Sequence, residues 1–190
     1  TVEARADAGD WAIVADQFVP GWGANGEGQT IMEQVLTDAN NKVDAVFAAN
    51  DNLATQAINA LEAAGIGPVP LSGQDAPAAG PQQIILGKQT MTVHKPIYAE
   101  ADVAAKAAQA LCAGEDPATI TSDYDFETIG ITAEDGKPAA AGEGVPYLAL
   151  TPIAVTIDNI MDTVIADEFR TIEELCTGDT ADTDFCTENG

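Results

Sequence analysis

The sequence is poor in cations, histidine, cysteine and aromatic residues. Seven Lys and Arg stand against 31 Asp and Glu, so the formal net charge is −24. A chain this acidic repels the phosphates of nucleic acid and of anionic lipid surfaces, which excludes both as partners of the whole molecule. His94 is the only histidine, so a His-based metal site or a catalytic dyad would rest on it alone. No HExxH, CxxC or GxSxG occurs, and no Gly-rich loop ends in Lys-Ser or Lys-Thr. No apolar run approaches the roughly 18 residues of a membrane-spanning helix. Aromatics make up 5% of the chain, so the core is built from Ala, Val, Ile and Leu.

What is present suffices for a fold. Hydrophobic residues are 46% of 190, enough for a packed core despite the charge. That length is one ordinary domain, or one and a half small ones. The acidity, with Lys scarce and Ala abundant, suits a halophilic or exported protein. It reads as a solvated face rather than a functional patch. The chain opens on Thr1 with no signal peptide before it, so the expectation is a processed chain or a fragment.

The first half alternates strand and helix patterns. Trp11–Ala15 reads as a first strand, followed by a Gly-rich loop over residues 20–28. Thr30 and Glu33 make a capping-box pattern for a helix whose apolar face is Ile31, Met32, Val35, Leu36 and Ala39. Val43–Ala49 is a second strand. Any of Asn50, Asp51 and Asn52 can cap the next helix, which carries Leu53, Ala57 and Leu61 and stops at Gly65. Val69–Leu71 is a third strand and Ser72–Ala76 its exit loop. A short helix over residues 81–86 leads to a fourth strand at Thr90–Val93. An Ala-rich helix is predicted from about Ile97 to Ala113, with Asp102 and Lys106 as an i,i+4 pair. Residues 115–146 are richer in Gly, Pro and acids, with one apolar patch from Phe126 to Ile131. Residues 146–155 are a strand signal interrupted by Pro152, and Asp158 is placed to cap a short helix ending near Phe169.

Strands alternating with helices of this length predict an α/β fold, an open parallel sheet flanked by helices on both faces. Ligands of such sheets bind beyond the carboxyl ends of the strands. Trp22, Asn50, Asp75 and Lys95 follow the four strands in turn. An aromatic plate, an amide, a carboxylate and an ammonium form no catalytic constellation, but they suit a neutral polyhydroxylated ligand. Each has a plainer role open to it. Trp22 can cover the core edge, and Asn50 can be only a helix cap, although Asp51 and Asn52 are spare caps. Asp75 can cap the short helix after it, and Lys95 can be a solvated lysine before a turn.

The runs Val43–Asp51, Ser72–Ala76 and Gln89–Pro96 resemble periplasmic sugar-binding proteins of ABC importers, nearest to the branch that takes xylose and other aldoses. Residues 151–155 and 158–165 resemble the last strand and helix of that family. The resemblance implies the C-terminal lobe of a type I periplasmic-binding fold, in which two lobes close over a sugar about a hinge. It places Trp22, Asn50, Asp75 and Lys95 in the sugar site. It implies a monosaccharide ligand, ABC transporter membrane subunits as partners, an extracytoplasmic location, no cofactor and no enzymatic step. A sugar-responsive effector domain of a transcriptional regulator is the alternative.

On this basis residues 1–94 are the sugar-binding lobe, and 95–148 are the hinge crossing and a segment that packs on an N-terminal lobe. Residues 149–170 are the return strand and helix, and 171–190 an acidic tail. The N-terminal lobe is absent here, so the expectation is either self-association through 97–148 or a cut from a longer chain. His94, beside the hinge, is expected to be packed or at the surface rather than on the ligand. The Cys176–Cys186 spacing suits a disulfide in an exported protein, two unpaired thiols being the alternative. Cys112 is expected to be a buried free thiol.

Overall fold

The computed structural model describes residues 2–115, 125–129 and 145–190. Two compact units are present: residues 1–94 with 154–190, and residues 95–153.

The first unit begins with helix α1 (Val2–Asp7). The expected first strand is not formed: residues 11–19 carry no regular structure, and Trp11 and Val14 are 57% and 58% exposed. An open groove of about 820 Å³, lined by Ile13, Val14, Phe18, Val46 and Phe47 among others, separates this segment from the second strand region. Helix α2 (Glu27–Asp38) starts one turn before Thr30, with Gly26 at its N-cap in the left-handed region at φ 85°. The Thr30–Glu33 capping box is therefore not used. Glu27 instead folds back on Asn25, accepting from its amide side chain at 3.0 Å and from its backbone N–H at 3.2 Å. Met32 and Leu36 are the fully buried part of the expected apolar face.

Helix α3 (Asp51–Ala63) is capped by Asn50 and stops before Gly65, which takes φ 70°. Its buried Ala54, Ala57, Ile58 and Leu61 pack with Met32, Leu36, Val43 and Leu71 into one core cluster. Helix α4 (Ala79–Ile85) follows, then strand β1 (Thr92–His94).

The α/β class holds, but its sheet is reduced to short rungs. Val46 and Leu71 form a single parallel bridge. The ladder stops there for two reasons. Pro68 and Pro70 have no N–H to give. The Ser72 hydroxyl takes the next rung instead, donating to the Ala48 carbonyl at 3.1 Å and accepting from its N–H at 3.0 Å. Val93 then donates to the Gly73 carbonyl at 3.1 Å and accepts from the Asp75 N–H at 2.9 Å, a parallel pattern of bonding. Strand β1 pairs in turn with β4 (Ile153–Val155).

Asp158 caps no helix. The turn there is held by Asn159, which accepts from the Thr156 N–H at 2.8 Å, and Met161–Ile165 is π-helical. The last twenty residues are built into this unit. Helices α6 (Ile172–Leu175) and α7 (Asp184–Asn189) are joined by the Cys176–Cys186 disulfide, and Leu175 is fully buried beside Ile84, Val155 and Val164.

The second unit contains α5 (Ile97–Ala113), ended by Gly114 at φ 75°, and an antiparallel pair, β2 (Asp125–Ile129) with β3 (Val145–Ala149). Gly130 and Ile131, the end of the predicted apolar patch, lie outside the described residues, as do most of 115–146. Tyr98 and Leu111 are exposed on α5. Cys112 is free but exposed, not buried, because α5 turns only Val103 and Ala110 fully inward.

Candidate functional site

Three of the four predicted site residues stand on loops fastened to the N-terminal end of α3. The first loop is a 3-10 turn at Pro20–Gly23, which carries Trp22. Trp22 is 67% exposed and held at φ 56°, a left-handed conformation that a bulky residue rarely takes. Its carbonyl accepts from the Asn52 side chain at 3.1 Å and the Asn50 side chain at 3.5 Å. Gln56, one turn along α3, donates to the Gly23 carbonyl at 2.8 Å. A Cβ at Gly23 would sit 2.7 Å from both Gln56 Nε2 and Leu53 Cδ2, so only glycine lets the loop lie this close to the helix.

Asn50 is the cap as well as a site candidate. Its Oδ1 accepts from the Leu53 N–H at 2.8 Å, which consumes its best acceptor. The bond to the Trp22 carbonyl uses one of its two amide N–H groups. Asp51 and Asn52 do not relieve Asn50 of the capping task.

Asp51 explains why. Its side chain turns inward and is 1% exposed. The carboxylate accepts from the Ala76 N–H at 2.9 Å, the Gln89 amide at 2.6 Å and the Thr92 hydroxyl at 2.7 Å. Gly73 and Gly80 make room for it, since a Cβ at either would collide with its oxygens. Burial raises the Asp51 pKa above the usual carboxylate value, against the pull of the three hydrogen bonds, and the negative charge of Asp75 adds to the rise.

Asp75 is exposed and does not cap α4, whose N-cap is Ala78. Asp75 and Ala76 take φ 94° and 47° in succession, both left-handed. This places a carboxylate on a sharply turned, buried-backed loop. Arg170 donates to the Ala76 carbonyl at 2.9 Å, and its guanidinium lies 4.2 Å from the centre of the Phe169 ring. Lys95 follows β1 directly, where the second unit begins.

His94 is packed, 1% exposed, with Nε2 2.9 Å from an Asp167 carboxylate oxygen and its ring 4.7 Å from that of Phe169. Among the described residues no cluster of His, Cys, Asp and Glu could hold a metal ion. The arrangement offers an exposed indole face, an amide donor and a carboxylate acceptor on neighbouring loops.

A model of the periplasmic binding protein domain matches residues 3–116. The chain belongs to that family. It is 44% identical over 170 residues to the D-xylose-binding periplasmic protein of Escherichia coli (strain K12), covering 89% of this chain and 47% of that one. The protein of the same description from Haemophilus influenzae (strain ATCC 51907 / DSM 11121 / KW20 / Rd) is 43% identical, with 88% and 46% covered. This periplasmic binding protein chain therefore spans about half the length of these relatives. Among solved structures, a carbohydrate transporter solute-binding protein from Chloroflexus aurantiacus in complex with D-glucose superposes with a TM-score of 0.61 at 29% identity, over 77% of this chain and 40% of that one. A periplasmic solute-binding protein from Actinobacillus succinogenes 130z with bound D-allose gives 0.58 at 25%, over 83% and 46%. The relatives so described are binding proteins rather than enzymes.

Proposed function

We propose that this chain is the C-terminal part of the sugar-binding component of an ABC importer, taking an aldose such as D-xylose between two lobes. The observation that carries the reading is the bolting of the Trp22, Asn50 and Asp75 loops to one helix end, through Asn52, Gln56 and Asp51. The D-xylose-binding relatives agree with it. In this reading the Trp22 face covers the C–H side of the ring, Asn50 donates to a ring or hydroxyl oxygen, and Asp75 accepts hydroxyl protons. Lys95, at the end of β1, donates from the hinge side. Binding, with no bond broken, is the chemistry. Selectivity comes from hydroxyl partners that would be left unsatisfied by the wrong sugar, at about 1–3 kcal/mol each. Closure on a second lobe would create the form recognised by the transporter's membrane subunits, and the location is extracytoplasmic. Isothermal titration of the chain with D-xylose and D-glucose tests this. Binding that is weakened in D75N supports the reading. Equal heats in the wild type and D75N would remove Asp75 from the site, and no heat from a folded chain would mean that this half alone is not a sufficient site.

A further inference from the structure

We propose that Asp51 and Arg170 are positioning residues for Asp75, gripping the peptide of Ala76 from opposite ends; the proposal rests on the sugar-binding reading of Asp75. Ala76 is fully buried and is the residue immediately after the candidate ligand carboxylate. Its N–H donates 2.9 Å to Asp51 Oδ2 and its carbonyl accepts from Arg170 Nε at 2.9 Å. Two consecutive non-glycine residues with positive φ stand at this point, 94° at Asp75 and 47° at Ala76. Such a pair relaxes unless its surroundings over-determine it. The two side chains supply that constraint from segments 25 and 94 positions away in sequence.

Neither side chain is loosely held. Asp51 is fixed by Gln89 and Thr92, and its own backbone N–H donates to the Gln74 carbonyl at 2.9 Å, on the other side of Asp75. Arg170 is fixed over the Phe169 ring and by a 3.0 Å bond from Nη1 to the Phe169 carbonyl. The Asp75 N–H is engaged by the Val93 carbonyl at 2.9 Å. The backbone on both sides of Asp75 is thus tied down while its side chain stays exposed. A planar guanidinium that both stacks and donates through Nε is not replaced by lysine.

The test is a double-mutant cycle on the full chain, read by titration with D-xylose, with amide hydrogen exchange as a second readout. R170M removes the Nε donor while leaving an apolar chain against Phe169. It should weaken xylose binding about tenfold, the scale of one charge-assisted hydrogen bond. R170K should behave like R170M. In a D75N background R170M should cost nothing more, because it acts only through Asp75. The amides of Asp75 and Ala76 should exchange faster in R170M while those of Ile58 and Leu61 stay protected. Losses that multiply in the double variant, or R170M binding like the wild type, would overturn the proposal. D51N should follow the same pattern; if it unfolds, R170M decides. If the wild type binds no sugar, this half alone is not a sufficient site. The grip is then judged on exchange, and unchanged Asp75 and Ala76 amides in R170M would refute it.

Discussion

Asn50 performs two tasks with different atoms, and substitutions can separate them. Its Oδ1 caps α3 and its Nδ2 donates to the Trp22 carbonyl and is the proposed donor to the sugar. N50D keeps the capping oxygen, so urea unfolding should stay within about 0.5 kcal/mol of the wild type. It loses the donor, so xylose binding should disappear. N50A should lose both, with about 1 kcal/mol of stability. If N50D still bound sugar, Asn50 would be a cap and nothing more. Asp51 carries a different expectation, because its pKa is raised on folding by burial. A raised acid binds its proton more readily in the folded chain, so its contribution to stability is fully present below the unfolded value. That contribution is lost as pH rises through the folded value. Acidification from pH 7 should therefore favour folding through Asp51. The comparison is with D51N, whose unfolding should lack this component.

At the scale of elements, helices were far more legible than strands. The predicted span of α5 agrees with the observed Ile97–Ala113, and α3 stops at its glycine, because period and stop signals are local. The strands were legible as apolar runs, but their pairing was not. Whether Val46 continues a ladder depends on Pro70, which lacks a donor, and on Ser72, which intrudes from another segment. Asp51 was equally hidden. In Asn50-Asp51-Asn52 the three polar residues look alike, and only the fold turns the middle one inward. Gly73, Gly80 and the polar Gln89 and Thr92 beside apolar positions were the available signal of a buried acceptor. The 176–186 disulfide was legible from spacing, and its effect belongs to α6 and α7. Closing so short a loop should stabilise by about 2–3 kcal/mol on the chain-entropy account. Serine at both Cys176 and Cys186 should lower the urea midpoint accordingly, with amide exchange rising first around Leu175 and Thr180. An unchanged midpoint would mean that packing of the buried Leu175 already holds these helices.

The whole molecule is governed by its charge. With 31 acidic residues and 7 Lys and Arg, most carboxylates have no basic partner. The described pairs Arg5–Asp10, Lys88–Glu62 and Lys106–Asp102 all involve exposed groups, and such pairs contribute about 0–1 kcal/mol each. Folding brings the remaining negative charges together, so self-repulsion opposes the compact state. Salt shortens the reach of that repulsion, from a Debye length of about 10 Å at 0.1 M to about 3 Å at 1 M. The urea midpoint should therefore rise steadily between 0.02 M and 1 M NaCl, the opposite of a fold held by surface ion pairs. A flat or falling midpoint would show that the acids are spaced too widely to oppose folding. The same titration isolates Asp51. Acidification also neutralises surface carboxylates, and 1 M NaCl suppresses that component while leaving the buried group largely unscreened. Whatever gain on acidification survives in high salt and vanishes in D51N belongs to the carboxyl under the Asp75 loop.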